Sequence, residues 1–330
     1  MNSQVSRTPK VKQKPKLAKK LQPPQYRFGI GEWYGKSFVA LSLKERKYYA
    51  SIQSQSKPER PPQPCPFLSR PGDVVPCWKP GGICSLRSYE KSRVTGLVTI
   101  DSRQSTLRAT CPSRFEQERS VYRWIGESIL SDPDAVPIGE TPFLKRVSPM
   151  GRGAAISHRE VGRIDNVLVI PGSDPIQWCP VEKQAVYFSG EKMSLEFQNI
   201  LNCKGEGIPF PVRNRRPDYR SSGPKRLLPQ LEIKVPTLST WGKKMAVVVD
   251  EDFFDRLGQM KETNDISNAE VVWFVVAYAE SQSGFKLQPL KVFITRLKDA
   301  IDGLVAAVPV PQKEFELAIR TRLAKVKTCS

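Results

Sequence analysis

Asp165, Glu182 and Gln184 are spaced so that a β-hairpin would gather them. Residues 164–170 (IDNVLVI) are rich in β-branched side chains, run into the turn PGSDP, and lead to a second extended stretch over 176–188. In extended backbone Glu182 and Gln184 share one face and Lys183 takes the other. If the turn sets Asp165 beside Glu182, two carboxylates share a hard cation such as Mg²⁺. Such an ion activates a water and steadies a pentacovalent phosphate and its leaving oxygen. Gln184 would orient water or a phosphate oxygen, although a neutral amide lacks an ammonium's charge. The competing reading is a solvent-exposed strand face.

A second set of carboxylates offers the same chemistry. Pro217-Asp218 is followed, after thirteen intervening residues, by Glu232-Ile233-Lys234. This is the spacing of a PD-(D/E)xK nuclease motif, lysine included, and on a strand Glu232 and Lys234 would share a face. Against it, Asp218 lies among arginines, where an ordinary ion pair accounts for it. Pro224, Pro229 and Pro236 also crowd the supposed strand. The pattern alone leaves both sets open.

Cys65, Cys77, Cys84 and Cys111 are spaced C-x11-C-x6-C-x26-C, with Pro directly after the first and the last. Four converging thiolates suit a tetrahedral zinc or a single iron. The spacing is unlike that of a zinc finger, whose first two ligands lie about two to four residues apart. The alternative is four ordinary half-buried cysteines, since free Cys packs as a small hydrophobe. Cys179, Cys203 and Cys329 are then unpaired thiols. Seven cysteines and no secretion signal point to a reducing cytoplasm.

Other chemistries drop out. The single histidine, His158, removes mechanisms that need two imidazoles. No phosphate-binding Gly-rich loop and no nucleophile elbow is present. The net charge is +19, with 52 Lys plus Arg against 33 Asp plus Glu. Residues 1–22 hold seven basic side chains and no acid, which leaves +12 for the rest of the chain. That field attracts nucleic acid or an anionic membrane surface, and nucleic acid is the expected partner. The longest apolar run, 271–279, is too short to span a bilayer and suits a buried strand.

The elements that must position these groups read as a mixed α/β chain. Residues 1–24 form a basic arm too polar to order. Residues 25–114 make an N-terminal region around the four cysteines, and 115–330 a nuclease core. Helical spacing appears over 115–130, 194–201, 252–257, 291–304 and 312–325; strands are expected at 245–250 and 271–278. The loop 211–226 carries Arg213, Arg215, Arg216, Arg220, Lys225 and Arg226 against one acid, a candidate DNA contact.

In combination these residues resemble the NotI-like restriction endonucleases. The likeness rests on Glu32-Trp33-Tyr34-Gly35, on Cys65-Pro66-Phe67-Leu68 continuing through Gly82-Ile83-Cys84 to Cys111-Pro112, and on Ile164-Asp165 with Val181-Glu182-Lys183-Gln184. It continues through Phe188-Ser189-Gly190 and from Pro229-Gln230-Leu231 to Trp241-Gly242-Lys243-Lys244. The resemblance implies a PD-(D/E)xK-type core whose usual lysine is replaced by Gln184, and favours Asp165, Glu182 and Gln184 over the second set. It also implies an iron held by the four cysteines. Two carboxylates call for Mg²⁺, and one active site per chain against two-fold symmetric duplex DNA points to a homodimer on a palindromic site, with a cognate DNA methyltransferase expected in the same system. A metal-knotted DNA-binding protein without cleavage is the alternative.

Overall fold

The computed structural model describes residues 23–55, 61–147, 156–190, 192–281, 284–307 and 309–327. The basic arm therefore lies almost wholly outside the described residues, as do Cys329 and the side chain of His158. Residues 245–250 (MAVVVD) and 271–276 (VVWFVV) are apolar without alternation, the pattern of strands covered on both faces. They form the centre of a six-stranded mixed sheet. Its order is Gly284–Thr295, Val271–Ser281, Met245–Asp250, Gln177–Lys183, Asn166–Ile170, Val136–Pro137. Met245–Asp250 runs parallel to both its neighbours, and the other pairs are antiparallel.

The period of two divides the two cores. Val181, Ala246, Val248, Val272 and Phe274 face Phe115, Val121, Tyr122 and Ile125 on one side. Met245, Val247, Val249, Val271 and Trp273 face Leu227, Leu231, Val235, Leu238 and Leu304 on the other. The sheet is thus sandwiched between helical layers.

Several elements differ from expectation. The segment read as a strand around Glu232 is the helix Leu228–Thr240, with Leu231, Lys234, Val235 and Leu238 buried. Those positions recur at helical spacing, Pro229 occupies the tolerated first turn, and the apolar stripe overrides Pro236. Residues 291–304 divide into the end of the strand Gly284–Thr295 and the helix Leu297–Val305. Residues 252–257 shorten to the helix Glu251–Phe254.

Upstream, Lys36–Ser37, Gln25–Trp33, Ile83–Lys91 and Val98–Ile100 form a smaller sheet, with Arg108–Ala109 also paired to Ile83–Lys91. Trp33, Phe38, Tyr49, Leu86 and Tyr89 fill its core, together with Phe197 and Ile200 from the later helix Ser194–Leu201. Buried ion pairs brace the two sheets: Arg114–Glu32 at 2.7 Å and Arg108–Asp252 at 2.7 Å. Asp250 adds a third brace, accepting from the Ala109 amide at 2.9 Å.

Candidate active site and its basic cleft

The antiparallel register pairs Val181 with Asn166, so one further step sets Asp165 opposite Glu182. The hairpin therefore does gather the first carboxylate set. Asp165 Oδ2 accepts from the Lys183 amide at 3.0 Å, which ties the bend before Asn166–Ile170 to the end of the strand Gln177–Lys183. Glu182 is buried on the face that looks toward the helix Leu228–Thr240, where Lys234 Nζ donates to its Oε1 at 2.5 Å. Burial first, and then the Asp165 charge, push the Glu182 carboxyl up to about 7, against the pull of Lys234.

Lys183 takes the opposite face, as period-two geometry requires. Its ammonium donates to Glu116 and, at 3.2 Å, to Tyr122 Oη. Burial opposes its charge, but Tyr122 and Glu116 outweigh that and raise its pKa. Asn166 Nδ2 donates to the same Tyr122 oxygen at 2.8 Å. The end of the hairpin is thus fixed from behind by a satisfied polar cluster, as a positioned site needs.

Asp165, Glu182 and Gln184 line a cleft of about 720 Å³ whose other walls include Lys79, Lys192, Arg215, Lys225, Arg226 and Gln230. Two oxygen-donor side chains side by side, lining a cleft ringed by cations, fit a hard dication beside a phosphate. The Gln184 carboxamide donates to the Ala185 carbonyl at 2.6 Å.

The second carboxylate set is dispersed. Asp218 caps the helix Tyr219–Ser222, accepting from the Ser221 amide at 2.9 Å. Glu232 is exposed on its helix while Lys234 is buried. The strand expected to align them does not form, because 3.6-residue periodicity sends positions two apart to different faces.

Of the basic loop, Lys225 and Arg226 are exposed on the cleft wall, and Arg226 stacks over Tyr187 with its guanidinium carbon 4.5 Å from the ring centroid. Arg216 and Arg220 are exposed outside it. Arg215 departs from the expected free phosphate contact. It is buried, donating to Glu196 at 2.6 Å and to the Lys192 carbonyl at 3.2 Å. The Arg213 amide also donates to Glu196, at 3.1 Å, so this carboxylate roots the loop. Neither the Glu196 anchor nor the Lys234 contact was found from sequence. The available signal for Lys234 was a lysine inside the apolar stripe of a helix, which the strand reading concealed.

Cys84 lies in the strand Ile83–Lys91, Cys111 precedes the turn at Pro112–Arg119, and Cys65 and Cys77 flank a small looped segment. Burial raises the Cys65, Cys77 and Cys84 thiols, and charges on the other members of the set push the same way. Soft sulfur donors would fit zinc or iron. Among the described residues, however, no three Cys, His, Asp or Glu stand at metal-holding spacing.

A mixed sheet presenting paired carboxylates to a basic cleft defines a protein built to act on a polyanion. The comparison with protein families makes this specific. The family model described as Restriction endonuclease NotI matches residues 49–288, most of the chain, and the chain belongs to that family. It is accordingly a site-specific deoxyribonuclease acting on double-stranded DNA. No curated protein matches it, and among the described residues no helix is long and apolar enough to cross a membrane.

Proposed function

We propose that the protein is a type II restriction endonuclease with a PD-(D/E)xK core, making Mg²⁺-dependent double-strand breaks in the cytoplasm. The observation that carries this is Asp165 and Glu182 side by side on the cleft floor, with Lys225 and Arg226 on its wall. Asp165 and Glu182 would hold Mg²⁺, which supplies an activated water and charge for the leaving oxygen. Gln184 positions water or phosphate from the same strand face, and the wall cations follow the DNA backbone. Cys65, Cys77, Cys84 and Cys111 hold one structural metal; their family likeness favours iron. One site per chain breaks one strand, so a homodimer matches a palindromic target. A companion DNA methyltransferase protects the host's own sites.

Purified protein, plasmid and Mg²⁺ test the reading. Wild type and Glu232→Ala should give linear products with discrete ends, while Glu182→Ala binds duplex but leaves it uncut. A dead Glu232→Ala beside an active Glu182→Ala would reverse the assignment. Sedimentation of the cutting complex should find two chains per duplex; one would exclude the dimer.

A further inference from the structure

Two carboxylates at the point where a phosphate must approach create a charge problem, and the residues nearest in sequence do not solve it. The Gln184 amide is neutral and bonded to the Ala185 carbonyl. Lys183 points to the far face of the strand, where Glu116 and Tyr122 take its ammonium. The cation in contact with the pair comes from fifty-two residues downstream, Lys234, whose ammonium sits 2.5 Å from Glu182 Oε1.

Lys234 is 1 % exposed, among the largest fully buried side chains of the chain. A lysine loses its hydration there and stays charged only through a good partner. It also interrupts the apolar face formed by Leu231, Val235 and Leu238, where a leucine or methionine would pack without that cost.

We propose that Lys234 is a positioning residue for DNA cleavage: from the helix Leu228–Thr240 it supplies the positive charge that fixes Glu182 and offsets one of the two carboxylates facing the scissile phosphate. This rests on the assignment of Asp165 and Glu182 to the active site. Packing alone requires an ammonium no more than it requires an apolar chain of equal length, so charge is what separates the roles.

The test uses Lys234→Met, Lys234→Gln, Lys234→Met with Gln184→Lys, and Glu182→Ala. The readouts are thermal melting, metal-free duplex affinity and single-turnover cleavage at saturating Mg²⁺. Lys234→Met should slow cleavage about 100-fold, as a misplaced active-site group does. It should also weaken metal-free duplex binding about tenfold, the cost of exposing phosphate to an uncompensated charge. Lys234→Gln keeps a hydrogen-bond donor for Glu182 but no charge, and should lose comparably; it also serves if Lys234→Met does not fold. Adding Gln184→Lys returns a cation to the face of the strand that carries Glu182, and should recover both binding and rate. Wild-type cleavage by a folded Lys234→Met or Lys234→Gln overturns the proposal. So does a loss that Gln184→Lys leaves unrecovered, which would mark Lys234 as a packing residue. If Glu182→Ala is inactive while Lys234→Met and Lys234→Gln cut normally, this proposal alone fails; if Glu182→Ala cuts, the active-site assignment fails first.

Discussion

The carboxylate hairpin and the cysteine segment are both short excursions of the chain, yet the sheet supports one and not the other. The hairpin strand Gln177–Lys183 lies between Asn166–Ile170 and Met245–Asp250, with Val181 and Glu182 buried. Residues 61–79 contain no regular strand and are joined by bridges at Pro64–Pro76 and Arg70–Asp73. Two hydrogen bonds of 2.7 Å, from the Cys65 amide to the Val75 carbonyl and from the Cys77 amide to the Gln63 carbonyl, complete the loop. Val74 is 72 % exposed and Trp78 82 % exposed. A segment that buries so little cannot offset its own ordering entropy. The hairpin owes its geometry to a sheet, whereas the cysteine segment has no such sheet around it, and the proposed metal would supply its cross-link.

The largest effect expected from that contrast is on Cys77→Ser. Cys77 is only partly buried, so exchanging sulfur for oxygen there should cost at most about 0.5 kcal/mol if it is an ordinary surface residue. As a ligand of a structural metal it should cost several kcal/mol, because metal binding is then part of the folding free energy. Elemental analysis and thermal melting decide it. Metal-free wild-type protein, or a variant as stable as wild type, breaks the comparison by showing that the loop holds itself.

What was legible in the sequence follows the same division. The hairpin, the buried strands at 245–250 and 271–278 and the helices at 194–201 and 312–325 came from local periodicity, and the structure has them. Asp165 and Glu182 were legible as a pair because a hairpin brings sequence neighbours together. The Lys234 contact was not, since it spans two elements whose packing no local pattern encodes. The helix containing it was misread because its prolines and its lysine obscure an apolar stripe visible only at a period of 3.6. The Arg215 ion pair was not legible for a related reason: composition shows charge, but its partner Glu196 lies on a helix that packs in the other sheet's core.

Asp250 sharpens the comparison at the seam between the two sheets. It caps the helix Glu251–Phe254 through the Phe253 amide at 2.9 Å and accepts from Ala109 across the seam. Burial raises its carboxyl to about 7, while those two amides pull the other way. The folded protein therefore binds a proton here that the unfolded chain, near 4, has already released. The contribution is complete below about pH 4 and disappears as pH rises through about 7, a fall on the order of a few kcal/mol. The difference in unfolding free energy between wild type and Asp250→Asn, measured from pH 4 to 7.5, should slope downward by that amount. Parallel curves would mean that the seam does not titrate.

The smallest effect asks which side of the cleft meets DNA. Lys225 and Arg226 are exposed on the wall supplied by the helical layer of the central sheet, whereas Lys79 belongs to the cysteine side. The Lys79 ammonium is already committed to the Thr110 carbonyl. Each lost phosphate contact reduces the slope of log affinity against log salt by about 0.9. Lys225→Gln with Arg226→Gln should therefore flatten the slope by about two contacts' worth, and Lys79→Gln by less than one. Fluorescence anisotropy on a cognate duplex without divalent metal, over a series of salt concentrations, gives the three slopes. An unchanged slope for the double variant beside a large change for Lys79→Gln would move the phosphate path to the cysteine side. The segment proposed to be cross-linked by a metal would then also be the one that grips the backbone.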